Sequence, residues 1–179
     1  MIRGAALTVA AHGVLALPGI AGAQRVADSA RSAIPATIRE EHSEIRAELA
    51  SATKLAGRTG VAARALAAVL QPHFDREEQI ALPPLSLLGP LSRNERVASP
   101  SWVLAMTDSL RRELPQMLRE HVAIRSATQR LATAAQSEGQ PTVVRFAEKL
   151  SAHARTEEEL LYPAAIVVGD LVRARSGRR

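Results

Sequence analysis

Apolar residues recur along this chain at alternating steps of three and four, the spacing that lines one face of a helix. Ile38, His42, Ile45, Leu49, Ala52 and Ala56 form one such seam, and Leu66, Leu70, His73, Glu77 and Ile80 form a second. A third reads Leu114, Met117, His121, Ile124, Thr128, Leu131 and Ala135; a fourth reads Phe146, Leu150, His153, Glu157 and Leu160. No period-two run of β-branched or aromatic residues competes with them, so the pattern predicts an all-α domain of four helices. Pro35 suits a first turn, where its missing N–H would have been unpaired anyway, and Gly57 and Gly60 are expected to end that first helix. The second is expected over about 61–82, stopped by Pro83 and Pro84; the third over about 101–137; and the fourth from Pro141. Pro72 and Pro115 fall inside these stretches, where each removes a hydrogen bond and costs about 3 kcal/mol. A kink or break is therefore expected just before His73, and the part of the third helix before Pro115 reads as a separate short helix. Residues 83–100 form the longest connection, with enough Leu to pack on one end of a bundle.

Six polar residues occupy these otherwise apolar seams: His42, His73, Glu77, His121, His153 and Glu157. An ionised Glu or a His buried without a partner is costly, and metal coordination removes that cost for all six at once. The string His73-Phe-Asp-Arg-Glu77-Glu78-Gln-Ile-Ala-Leu-Pro83 recurs as His153-Ala-Arg-Thr-Glu157-Glu158-Glu-Leu-Leu-Tyr-Pro163. His at i and Glu at i+4 share a helix face, a natural chelating pair. His42 precedes His73 by 31 positions and His121 precedes His153 by 32, so the chain reads as a duplication. Its symmetric outcome is two ions, each with two His, spanned by two carboxylates. Four-helix bundles build di-metal sites in this way, and imidazole with carboxylate suits iron, with zinc or manganese possible on ligand type. A single seam His is ordinarily a satisfied core residue; four of the five His on four different seams are not so easily dismissed. Glu41, Glu78, Glu120 and Glu158, one step off the seams, read as solvated. Tyr162 reads as packing at the bundle end rather than approaching the site. Trp102, Met106 and Met117 read as core, and His12 is no ligand.

Composition narrows the chemistry further. A chain of 179 residues suits one core. The absence of Cys excludes disulfides, thiolate zinc, iron–sulfur ligation and a Cys nucleophile. The net charge of +5 comes almost wholly from Arg, four of them in the basic tail 173–179. With four aromatics in all and Arg interspersed with Glu, this reads as a solvated surface and no nucleic-acid partner. Residues 1–23 differ from the rest. Arg3 precedes an uncharged Ala/Val/Leu-rich run that ends in Ala21-Gly22-Ala23, the form of a signal peptide cut after Ala23. The expectation is export, to a bacterial periplasm, with no membrane association after cleavage. The alternatives are a retained membrane anchor or an apolar extension of a cytoplasmic protein. Residues 24–33 then form a linker and 34–172 the bundle.

At these residues the chain resembles the hemerythrin-like (HHE cation-binding) domains, over about residues 34–168. The resemblance rests on the order His, His-x-x-x-Glu, His, His-x-x-x-Glu, with the trailing Leu-Pro and Tyr-Pro. It implies an antiparallel up-down four-helix bundle around a non-haem di-iron centre with an oxo or hydroxo bridge. It also implies His42 and His73 on one iron, His121 and His153 on the other, and Glu77 and Glu157 bridging. Oxygen-carrying hemerythrins use a fifth His on the third helix, but positions 117 and 125 here are Met and Arg. The second bridging ligand is Glu157 at i+4 rather than an Asp at i+5. The pattern looks more like the four-His, two-Glu relatives that repair iron–sulfur centres, handle nitric oxide or sense iron. The leading expectation is a di-iron protein that binds, senses or detoxifies oxygen, nitric oxide or peroxide, or handles iron. An oxidoreductase reducing nitric oxide or peroxide at the same centre is one alternative, and a metal-free structural bundle another.

Overall fold

The computed structural model describes residues 33–177, and the expected signal segment lies outside them. Four long rods dominate. Helix α1 (Ala36–Thr53) leads into α2 (Gly57–Ile80). A 3-10 turn (Pro83–Leu87) and the short α3 (Leu88–Ser92) then cap one end. Helix α4 (Pro100–Ser137) is followed by α5 (Pro141–Thr156), a π turn (Glu157–Leu161) and α6 (Tyr162–Ser176), the last three making one continuous rod. Among the described residues there is no strand, and no helix is long and apolar enough to cross a membrane.

The seams bury as their periodicity requires, and they do so in two layers. One layer joins Ile45 and Leu49 of α1, Leu66 and Leu70 of α2, Ile124 and Leu131 of α4, and Phe146 and Leu150 of α5. The other joins Ile80, Leu82 and Leu85 with Met117 of α4 and Tyr162 and Ala165 of α6. Along α1 and α4 the chain runs from the second layer to the first; along α2 and the α5–α6 rod it runs the opposite way. The bundle is therefore antiparallel, up-down-up-down, with α1 against α2 and α5, and α4 against α2, α5 and α6. The six polar seam residues sit where the two layers meet. A third, smaller cluster of Leu91, Val103, Val168 and Val172, with half-buried Trp102, closes the far end. There Gly169 allows α6 to approach α4, because a Cβ on it would lie 2.3 Å from Thr107 Oγ1. Met117 is fully buried, whereas Met106 and Trp102 are only half-buried.

Several local expectations change. Pro72 and Pro115 break neither helix: α2 and α4 run through them. Both rings lie on exposed faces, where water can take the place of the lost donor. Gly57 and Gly60 begin α2 rather than simply ending α1, and Ala56 is the exposed residue before it. Leu160, placed on the fourth seam by a 3.6-residue repeat, is 60% exposed. The π turn inserts an extra residue there and rotates the seam past it.

Candidate metal centre

Each seam delivers its polar residue to the middle of the bundle, and all six are buried, with Glu77 0% and His42 and His121 1% exposed. They form two groups that share Glu157: His73, Glu77, His121 and Glu157, and His42, His153 and Glu157. The His73 and His121 Nε2 atoms are 2.7 Å apart. Glu157 presents Oε1 to His153 Nε2 at 2.8 Å and to His42 Nε2 at 3.3 Å, and Oε2 to His121 Nε2 at 3.5 Å. Glu77 does likewise, with Oε1 3.4 Å from His73 Nε2 and Oε2 3.9 Å from His42 Nε2. Each carboxylate thus offers one oxygen to each histidine pair. The pairs themselves correct the expectation of one ion per half. Histidines meet across the halves, His73 with His121 and His42 with His153, because α2 lies along α4 and α1 along α5.

The glutamates beside the motif are the larger correction. Glu78 Oε1 lies 3.3 Å from His42 Nδ1, and Glu120 Oε2 2.9 Å from His73 Nδ1. Glu158 Oε1 lies 2.7 Å from His121 Nδ1, and Glu41 Oε1 3.2 Å from His153 Nδ1. All four residues expected to be solvated therefore face a histidine from behind. Glu78 is itself buried and accepts from Arg46 Nη1 at 2.6 Å, and Glu158 accepts from Arg125. The pattern is two-fold: Glu-His on α1 and α4 serves the histidines of α5 and α2, and the second Glu of each Glu-Glu pair serves those of α1 and α4. A carboxylate on Nδ1 holds the proton there and turns the Nε2 lone pair inward, as metal-ligating histidines require.

That inward set has unmet needs. Two Nε2 lone pairs 2.7 Å apart repel unless a proton or a cation lies between them. Among the described residues, buried Glu77 Oε2 and His153 Nε2 have no hydrogen-bond partner, the latter despite its short but misaligned approach to Glu157. Burial alone would lower the His42 pKa, but the Glu157 and Glu78 hydrogen bonds and the Glu77 charge outweigh it and push it up to about 9. His73 reaches about 9 in the same way, against burial, through Glu77 and Glu120. Burial and the neighbouring Glu157 charge push Glu77 up. Glu157 goes the other way: against burial, the His121, His153 and His42 imidazoles that surround it hold it well below the usual carboxylate range. Without metal, imidazolium protons supply the positive charge that these carboxylates demand. A divalent ion would replace those protons and satisfy the orphaned atoms together, so the residues present fit a metal.

Tyr162 also belongs to the site. Its hydroxyl donates to Glu77 Oε1 and lies 3.1 Å from His121 Nε2 and 3.4 Å from His73 Nε2. A five-residue turn puts it there, with the Tyr162 N–H bonded to the Glu157 carbonyl. The repeat in α2 does the same, Leu82 N–H reaching the Glu77 carbonyl at 3.0 Å. Residue i+5 after each motif Glu is thus turned inward. The available signal was the matched position of Leu82 and Tyr162 in the two strings. Phe74, three residues before Glu77, stacks on His42 with ring centroids 4.0 Å apart, and Ala154 at the matching position offers no such ring.

Comparison with known proteins agrees with this geometry. A family model described as the Hemerythrin HHE cation binding domain matches residues 33–165. No curated protein and no solved structure matches the chain.

Proposed function

Because the chain belongs to the hemerythrin HHE cation-binding domain family, we propose that it is a non-haem di-iron protein that binds, senses or detoxifies a small ligand such as oxygen, nitric oxide or peroxide. The observation that carries this reading is the closed set of six buried donors with two orphaned atoms among them. His73, His121 and Glu77 would hold one ion and His42 and His153 the other, with Glu157 reaching both. Imidazole and carboxylate without thiolate favour iron over softer-ligand metals. Such a centre supplies redox-active coordination positions for a diatomic molecule or peroxide. The protein's own part is to orient and to exclude. The four outer glutamates fix the ring tautomers, and Phe74, Leu70, Ile124 and Met117 keep bulk water from the donors. A groove of about 520 Å³ between α2 and α4, with Pro72, Glu120 and Ala123 in its wall, reaches the outer side of His73. Its floor is formed by packed side chains, which suits a ligand of a few atoms.

No nucleic-acid partner is proposed, because Arg76, Arg111, Arg125 and Arg173 are each engaged with a carboxylate. Export through residues 1–23 remains part of the reading on sequence grounds, and recovery of mature protein beginning at Met1 would remove it. The central experiment is metal analysis with absorption spectra under oxygen, nitric oxide and peroxide. Two irons per chain and a near-ultraviolet oxo-to-iron band that responds to one of these ligands are expected. Well under two irons per chain would sink the reading.

A further inference from the structure

We propose that Tyr162 is a further metal-binding residue, its phenol oxygen completing the donor set that His73, His121, Glu77 and Glu157 offer to one of the two ions. This rests on the di-iron reading above and names a ligand that the His/Glu motif does not contain. Two donors in adjacent positions on one ion, each about 2.1 Å from it, are about 3.0 Å apart in an octahedron and about 3.4 Å apart in a tetrahedron. Tyr162 Oη lies 3.1 Å from His121 Nε2 and 3.4 Å from His73 Nε2, and it contacts Glu77 Oε1 directly. The edges among the other donors span a range that brackets these: 2.7 Å from His73 Nε2 to His121 Nε2, 3.4 Å from His73 Nε2 to Glu77 Oε1, and 3.5 Å from His121 Nε2 to Glu157 Oε2. The phenol oxygen is thus one corner of the same polyhedron, not a neighbour of it.

Packing does not ask for the hydroxyl. The side chain is 1% exposed within an apolar cluster of Leu82, Met117 and Ala165, where a Phe ring would fill the same volume. The matching position of the other repeat is Leu82, which has no donor, so the oxygen distinguishes one half of a two-fold site from the other. The Glu157–Leu161 π turn is what brings it in, since an oxygen five residues after Glu157 shares that carboxylate's face only when the turn is widened. In the metal-free chain the phenol is protonated and donates to Glu77. When the oxygen binds the ion, the O–H bond breaks, its electron pair remains on oxygen to form the metal bond, and the proton leaves to solvent. No oxidant or reductant is needed.

Tyr162 is the only tyrosine in the chain, so a tyrosinate signal has no other origin. Full-chain protein loaded with ferric iron is expected to show a visible phenolate-to-iron charge-transfer band whose resonance Raman spectrum carries tyrosinate ring modes. Tyr162→Phe should lose both, with the spectra compared per bound iron. Wild-type protein holding two irons per chain without those ring modes would overturn the assignment and leave the di-iron reading standing. Should the protein take up no iron, that reading fails instead. Tyr162 is then judged by zinc titration of the wild-type chain: an ultraviolet tyrosinate difference band upholds it, and saturation without the band rejects it.

Discussion

Glu120 shows how much a single off-seam side chain contributes. Its carboxylate is 35% exposed at the side chain and takes little part in packing, yet Oε2 lies 2.9 Å from His73 Nδ1. Replacing such an outer partner usually weakens metal binding by roughly 10–100-fold. Glu120→Gln is therefore expected to lower iron affinity by about that factor in chelator competition, with the unfolding midpoint of the metal-free protein little changed. An affinity equal to wild type would show that the Nδ1 contact is incidental. The same reasoning explains why Glu41, Glu78, Glu120 and Glu158 could not be read from periodicity. One step along a helix is a rotation of about 100°, which turns a residue away from its own seam but says nothing of what stands there. The neighbouring helix decides whether that direction is water or the back of a histidine.

At the scale of elements, two departures from ideal helix geometry carry consequences. Ala56 provides no side-chain cap for α2, and the role passes to Glu138, from the turn before α5. Its carboxylate accepts from the Arg58 N–H at 2.7 Å, the Thr59 N–H at 2.9 Å and the Thr59 hydroxyl at 2.6 Å. Gly57 has φ of 73°, and a Cβ there would lie 2.6 Å from Glu138 Oε1. Gly57→Ala should thus destabilise the fold by about 1–3 kcal/mol, read as a lower urea midpoint; an unchanged midpoint would show that the turn relaxes freely. The cap also sets a pH dependence. Hydrogen bonds from the Thr59 side chain, then from the Thr59 and Arg58 backbone, hold the Glu138 pKa down to about 2 from 4.5. Its contribution is full above pH 4.5 and is lost as pH falls toward 2. Glu138→Gln should be less stable than wild type at pH 7, with the difference shrinking on acidification in parallel urea titrations. A constant difference would rule out the charged cap. The second departure, the π turn, exposes Leu160 and buries Tyr162. Its five-residue step is invisible to a search for a 3.6-residue repeat.

For the whole molecule, the buried donors should make fold and metal interdependent. Three imidazoles with raised pKa values and two carboxylates whose pKa values are driven apart are a strained substitute for coordinated ions. Metal at a hundred times its dissociation constant adds about 2.7 kcal/mol, which in a domain of this size raises the melting temperature by roughly 5–10 °C. Chelator treatment should remove that increment, as followed by circular dichroism, and iron should restore it. Equal melting curves with and without chelator would favour the metal-free structural bundle instead.

Four helices, their approximate bounds and the six polar residues of their inner faces were all determined by the sequence. Burial selects for a 3.6-residue repeat, and a charged residue in that repeat is conspicuous because burying it is costly. Which histidines meet, and what stands behind each of them, was decided only by tertiary structure. The duplication pairs His42 with His73 along the chain, but helix neighbours in space pair His73 with His121 and His42 with His153. Order along a chain and adjacency across a bundle are independent quantities. The off-seam glutamates, the cap from Glu138 and the hydroxyl of Tyr162 acquire their roles from the second alone.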